Sequence, residues 1–203
     1  MGKIDPEKDL TFEQKVILDA IYRIGDLKAK RKMSKIKFEK LMFLLAKMYP
    51  SELEEISDTF EPYAMGPFSE YLDDDGLGRM EDLGLIKDYK EITPEGLEIA
   101  KQIIQQDENL KEIDKSLKQL IEILSPLNDN DILYIIYNLY PKYAERSQVK
   151  NMARSENFET YEVDLNEISK GPSEIIEIKS DKGNRLKIKF ENGVLEIDGK
   201  VDQ

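Results

Sequence analysis

The stretch over residues 80–104, MEDLGLIKDYKEITPEGLEIAKQII, decides the fold of this part of the chain. Glycine suits the left-handed position that follows a helix, and proline is tolerated as the first residue of one. The segment therefore predicts a helix, a small hairpin and a second helix in succession. Its boundaries are a helix end at Gly84, hairpin arms at residues 85–86 and 91–92, a tip at 87–90 and a helix start at Thr93-Pro94.

Two apolar helices are predicted upstream of this segment. Thr11 can cap the first helix, whose apolar residues recur at helical spacing until Gly25. Ser34 can cap the second helix, which ends before Pro50 because proline disfavours the helical conformation of the residue before it. A short acidic helix is expected over residues 51–58.

Residues 60–68, FEPYAMGPF, cannot form a regular helix because Pro62, Gly66 and Pro67 interrupt them. We expect an extended segment that leads into a turn. Ser69 starts or lies within the next helix, which continues to about Leu83.

The helix that starts at Thr93 is expected to be long. A leucine-rich seam at 3-4-3-4 spacing lies on its second half, and this spacing is typical of helix packing. The seam is either packed on its own domain or forms a homodimer contact through residues 97–124. The seam residues are Leu110, Ile113, Leu117, Leu120 and Leu124.

The last part of the chain changes from helical to period-two patterning. A further helical unit, capped by Asn128 or Asp129, carries several tyrosines: Tyr134, Tyr137, Tyr140 and Tyr143, with Tyr161 further along. Residues 174–198 alternate apolar and charged side chains around turn signals, among which Asn192-Gly193 favours a hairpin. These observations predict an antiparallel β-meander with an apolar face, which should dock on the helical part or on another chain.

The overall expectation is an α+β chain with three parts. Residues 1–124 form a mainly helical, winged-helix-like domain with a long closing helix, residues 125–158 form a helical extension, and residues 159–203 form the small β-meander. The N-terminus is charged, and no apolar run reaches the roughly 18 residues of a membrane span, so we expect a cytoplasmic protein.

The composition excludes much enzyme chemistry. The chain has no Cys and no His, which removes thiolate nucleophiles, Ser-His-Asp triads and most zinc sites. We therefore expect no catalytic residues, no metal and no cofactor. The formal charge of −12 opposes non-specific attraction to nucleic acid. The Lys-, Glu- and Ile-rich composition is compatible with a thermophile or with an AT-rich genome.

Two family resemblances follow from these motifs. Residues 80–104 resemble the wing region of winged-helix regulators, including the MarR-like and PadR-like groups. More of the chain, residues 34–150, resembles the Panacea (SocA-like, phage-associated antitoxin) family through KLMFLLAKMYP, FEPYAMGPFSEYL, LGLI and YNLYPKYAERSQVK. The latter resemblance implies neutralising a toxin partner or acting as a protein-binding adaptor, and it does not imply catalysis.

Two sets of candidate site residues follow. A partner-binding surface is predicted at the turn and on the acidic helix after it: Tyr63, Met65, Gly66, Pro67, Phe68, Ser69, Glu70, Asp73 and Asp74. The alternative, a DNA-binding surface, uses the basic segment and the wing tip: Lys28, Lys30, Arg31, Lys32, Lys35, Lys37, Lys87 and Lys90. Each segment also has a purely structural interpretation. The basic segment can be a solvated surface, and residues 63–69 can be a turn that leads into a helix.

The acidic stretch decides between the two functions. Between Glu52 and Asp82 the chain carries eleven carboxylates and one cation, Arg79. A helix with this charge would repel DNA phosphates and would suit a basic protein partner, including a toxin. The preferred hypothesis is a non-enzymatic, antitoxin- or adaptor-like regulator that binds a protein partner. The alternative is a winged-helix DNA-binding transcriptional regulator.

Overall fold

The computed structural model describes residues 4–27 and 33–148 and, further along, the backbone of residues 158–159, 173–180, 185–191 and 194–200. The helices are α1 (Pro6–Asp9), α2 (Phe12–Asp26), α3 (Lys35–Met48), α4 (Glu54–Thr59), a π-helical segment (Leu72–Gly78), α5 (Arg79–Asp82), α6 (Pro94–Gln106), α7 (Glu108–Leu124), α8 (Asp129–Leu139) and a 3-10 turn (Pro141–Ala144). This confirms an α+β chain that is mainly helical.

The strands pair antiparallel and with near neighbours. They are β1 (Glu61–Tyr63), β2 (Gly66–Phe68), β3 (Ile86–Asp88), β4 (Glu91–Ile92), β5 (Phe158–Glu159), β6 (Ser173–Ser180), β7 (Arg185–Glu191) and β8 (Val194–Lys200). β1 pairs with β2, β3 pairs with β4, and β5 to β8 pair in chain order. The register opposes Ile188 to Ile197 and Phe190 to Leu195; the apolar side chains predicted there lie outside the described residues.

Local capping explains where the helices begin. Thr11 and Gln14 form a reciprocal capping box at the start of α2, and Ser34 accepts a hydrogen bond from the Lys37 amide at the start of α3. Thr93 caps α6, whose first residue is Pro94. These predicted starts are confirmed, and Asn128, rather than Asp129, caps α8.

One apolar core joins the described helices. It extends from Leu10 in the N-terminal segment to Tyr143 after α8 and includes the fully buried Ile132 and Ile136. Residues 125–144 therefore pack in the same core as the N-terminal part, and the predicted boundary at 124 does not separate two packing units in the described chain.

The long closing helix was an incorrect expectation. Asp107 has an extended backbone, with φ −108° and ψ 114°, and its carboxylate accepts hydrogen bonds from the amides of Asn109 and Leu110. It ends α6 and caps α7, because a side chain that satisfies the first amides of a helix stabilises a new start. The chain can then fold α7 back against α2, α3 and α6.

The leucine seam of α7 lies in the protein's own core. Leu110 and Leu117 are 0% exposed, and the other seam residues are at most 1% exposed. The seam residues therefore pack on their own domain, and a homodimer contact through other residues of 97–124 stays a prediction. Within the described ranges, no helix is long and apolar enough to cross a bilayer.

Candidate protein-binding surface

The residues 60–68 form a tight β-hairpin rather than only an extended entry to a turn. β1 and β2 place Glu61 opposite Phe68 and Tyr63 opposite Gly66. Gly66 has φ +83°, which favours glycine, and a Cβ there would lie 2.9 Å from Leu133 Cδ2. The glycine is therefore required both by the backbone angle and by the close packing of the hairpin on α8.

One face of this hairpin carries two aromatic rings and a carboxylate. We call Glu61, Tyr63 and Phe68 the hairpin face. Alternate residues of a strand point to the same side, and directly opposed residues of an antiparallel pair share a side. The rings of Tyr63 and Phe68 have centroids 5.2 Å apart. Tyr63 is 59% exposed, and it is the one large hydrophobic side chain among the described residues that is exposed.

A buried lysine holds the hairpin on α3. Lys40 is 1% exposed, and its ammonium donates hydrogen bonds to the carbonyl oxygen of Pro67 at 2.7 Å and to Glu39 Oε2 at 3.2 Å. Burial lowers the pKa of Lys40, while the charge of Glu39 opposes this shift. Burial likewise raises the pKa of Glu39, and Lys40 opposes that shift. The lysine thus links β2 to α3.

The end of the hairpin is fixed by the chain that follows α8. The Gln148 amide donates to the carbonyl oxygen of Ala64 at 3.0 Å, and the Tyr143 hydroxyl donates to that of Phe60 at 3.3 Å. The Tyr137 hydroxyl donates to Ser147 Oγ at 2.6 Å, and burial raises the pKa of Tyr137.

The predicted tyrosine surface divides into different roles. Tyr143 is buried, and burial raises the pKa of the half-buried Tyr140. Both rings pack edge-to-face on Phe43. These tyrosines support the hairpin, whereas Tyr134 is half-buried and Tyr161 lies outside the described residues.

Three of the predicted partner-binding residues are buried and act as supports. Gly66 and Pro67 are buried residues of β2, and Met65 at the tip of the hairpin is half-buried. Ser69 is 1% exposed; its Oγ accepts a hydrogen bond from the Leu72 amide at 3.1 Å and lies 2.7 Å from Thr59 Oγ1. Of the turn residues, Tyr63 and Phe68 are the two whose rings the structure brings together away from the core.

The helix after the hairpin presents carboxylates to solvent. Glu70, Asp74 and Asp75 are exposed, and we call them the acidic helix face. Asp73 differs, because its carboxylate accepts a hydrogen bond from Lys35 Nζ at 2.8 Å. The opposite side of the helix is buried, and a Cβ on Gly76 would lie 2.7 Å from Ile17 Cδ1. This close approach to α2 directs the acidic side outwards.

The predicted basic residues that the structure describes each have a contact within the chain. Lys28, Lys30, Arg31 and Lys32 lie outside the described residues. Lys35 pairs with Asp73, and Lys37 is 8% exposed with its ammonium on the carbonyl oxygen of Ser125 at 3.2 Å. Lys87 lies in β3 rather than at the predicted hairpin tip, which is formed by residues 89–90, and it pairs with Glu91 of β4 at 3.3 Å. The Lys90 ammonium lies 5.1 Å from the Tyr89 ring centroid.

An open cleft of about 630 Å³ lies between this tip and the starts of α3 and α8. Lys37 and Lys90 line it together with Asp129, so its charges partly cancel. Among the described residues, no group of three or more carboxylates converges as a metal site would require.

Glu61 was missed by the sequence interpretation as a site residue. Its position two residues before Tyr63 would have placed both side chains on one side of a strand, had the segment been interpreted as a hairpin. Comparison of the chain with family models, with curated proteins and with solved structures gives no match.

Proposed function

We propose that this chain is a non-enzymatic regulatory protein that binds a protein partner, as an antitoxin or adaptor does. The observation that supports this proposal is the hairpin face. An exposed tyrosine beside a second aromatic ring, on a hairpin held by Lys40 and by the chain after α8, is a rigid anchor of the kind that dominates protein interfaces. Such an anchor loses little side-chain entropy when it is covered.

The charge around the hairpin supports a basic partner. Of the eleven carboxylates between Glu52 and Asp82, all except Asp73 are exposed. Complementary charge steers association and disfavours wrong partners, whereas like charge repels. A basic, nucleic-acid-directed toxin has the charge that this surface would accept.

We also propose that the helical part of the chain has a winged-helix-like arrangement. The order of α2, α3, the helix after Ser69, the β3–β4 hairpin and α6 agrees with a winged-helix-like arrangement. The β1–β2 hairpin contains the tyrosine, glycine and proline of the motif that resembles the Panacea family. We propose that the C-terminal strands form the predicted meander and contribute a further contact surface.

Site-directed photo-crosslinking tests the proposed function. We would place p-benzoylphenylalanine at position 63 and, as a matched control, at position 98, an exposed glutamate site on α6. In extract of the native host, a discrete adduct from position 63 but not from position 98 is expected. The captured protein should then bind the purified chain in calorimetry, and Tyr63→Ser should weaken that binding. Adducts of equal yield at both positions, or none, contradict the proposal.

DNA binding is the second candidate function. The observation that favours it is the β3–β4 hairpin, which lies in the place of a wing and carries Lys87 in β3 and Lys90 at its tip. The ion pairs of Lys35 and Lys87 and the burial of Lys37 weigh against it, because phosphates must displace these partners.

A mobility-shift titration of the full chain across salt concentrations tests this second function. Phosphate contacts predict an affinity that falls steeply as salt rises and that is reduced in Lys87→Gln/Lys90→Gln. Lys101→Gln, on the exposed side of α6, is the control. Absence of binding at low salt removes the DNA-binding hypothesis.

A further inference from the structure

The hairpin face combines groups that together recognise one type of side chain. Glu61 is directly opposite Phe68 in the register, and opposed residues in an antiparallel pair have Cβ atoms about 5 Å apart. Tyr63 lies diagonally to Phe68 with a centroid distance of 5.2 Å. The face therefore offers an exposed aromatic surface with a carboxylate beside it.

These groups have no cationic partner in the described part of the chain. Glu61 is exposed and makes no ion pair among residues 4–27 and 33–148, and no cation lies over the Tyr63 ring there. The cations that do lie over rings in this region belong elsewhere: Lys47 lies over Phe43 and Lys142 over Tyr143.

Arginine fits this combination better than lysine does. A planar guanidinium stacks on an aromatic face and at the same time donates two parallel hydrogen bonds to a carboxylate. An ammonium is a more strongly hydrated point charge and can do only part of this. An acidic ligand would be repelled by Glu61 and by the carboxylates of the acidic helix face.

We propose that the hairpin face binds an arginine side chain of the partner, whose guanidinium stacks on Tyr63 and pairs with Glu61. The inference rests on the proposed function and narrows it, because it makes the partner a protein with an exposed arginine as its anchor. The acidic helix face attracts such a basic surface, and the hairpin selects the arginine within it.

Peptide binding followed by NMR tests the proposal on the full chain. The probes are three peptides, Gly-Arg-Gly-Arg-Gly and its counterparts with lysine or with citrulline, the neutral analogue of arginine. We expect the arginine peptide to shift the ring resonances of Tyr63 and Phe68 in a saturable manner. The lysine peptide should bind more weakly, and the citrulline peptide should give no saturable shift.

Matched variants distinguish a specific contact with arginine from general attraction by the negative charge of the chain. Glu61→Gln should lower the affinity for the arginine peptide about fivefold, which is the upper range for an exposed ion pair. Tyr63→Leu should lower this affinity as well. Glu98→Gln, which removes one exposed charge on α6, should change the affinity less than twofold. Unchanged amide spectra elsewhere establish that each variant is folded.

The outcomes distinguish this inference from the proposed function. Equal binding of the arginine and citrulline peptides, or equal effects of Glu61→Gln and Glu98→Gln, overturns the arginine site. If crosslinking at position 63 still captures a specific partner, the protein-binding function stands without it. If arginine binds at the hairpin face but no partner is captured there, the proposed function fails and the site remains.

Discussion

Lys40 and Pro67 are joined by a buried hydrogen bond of 2.7 Å from the ammonium to the carbonyl oxygen. This contact links the middle of α3 to β2, and so links the core to the surface that we propose as the binding site. A lysine at 1% exposure is stabilised because its ammonium donates hydrogen bonds to Pro67 and Glu39. The position of Tyr63 is thus determined by a polar contact beneath it.

Lys40→Met should destabilise the fold. The change leaves the Pro67 carbonyl oxygen and the Glu39 carboxylate without their partner, and losing one member of a buried polar pair costs about 3 kcal/mol. Chemical denaturation measures the free energy of unfolding. Lys101→Met, on the exposed side of α6, should change it by less than about 0.5 kcal/mol. A similar small loss at both positions would mean that the ammonium is dispensable.

Gly66→Ala should also lower the free energy of unfolding, because φ is +83° and the added Cβ would lie 2.9 Å from Leu133 Cδ2. Strain in the left-handed region and the contact together are expected to cost about 1–3 kcal/mol. Gly25→Ala is the matched control, since a Cβ added there would meet nothing within 4 Å among the described residues. At that helical site alanine should be neutral or stabilising by up to about 1 kcal/mol. Equal effects in thermal unfolding would contradict the requirement for glycine at position 66.

Asp19 should make the stability of the protein fall as pH rises from about 4 to about 8. Asp19 is 0% exposed, and burial, with a smaller contribution from the charge of Asp114, raises its pKa from 3.8 to about 8, whereas Arg23 and Lys118 act in the opposite direction. The folded state therefore holds a proton that the unfolded state has released. The free energy of unfolding then falls through this window, and the loss is complete above it.

Asp19→Asn removes this titration. The variant should have a flatter pH profile than the wild type and be the more stable of the two at high pH, by an amount on the order of a few kcal/mol. Urea unfolding at several pH values from 5 to 9 gives the comparison, with Glu122→Gln on the exposed side of α7 as control. Parallel profiles for the wild type and Asp19→Asn would show that Asp19 is ionised throughout.

Leu117→Ala distinguishes an internal α7 seam from a dimer contact. Leu117 is 0% exposed within its own chain, so the truncation should lower the free energy of unfolding by about 2–5 kcal/mol. The sedimentation coefficient of the folded variant should be unchanged. A change of oligomeric state without loss of chain stability would support a dimer through the seam.

The elements that could be predicted from the residues are those set by short-range signals. Thr11, Ser34 and Thr93 begin helices because each side chain reaches an amide three residues away, and Gly84 ends one because its φ is +72°. These interactions lie within a few positions of each other, so a local pattern contains them.

The placement of side chains in the site depended on contacts that are distant in the chain. Lys40 looks like a surface residue among its basic neighbours, yet it is buried where the hairpin folds onto α3. Ser69 is buried as well, and its hydroxyl contacts Thr59 and the Leu72 amide. The break at Asp107 allows α7 to cover α2, which turns an apparent dimer seam into core. Local patterns establish which residues are helical or extended. Which faces meet, and which therefore remain exposed to a partner, follows from burying the most apolar area in three dimensions.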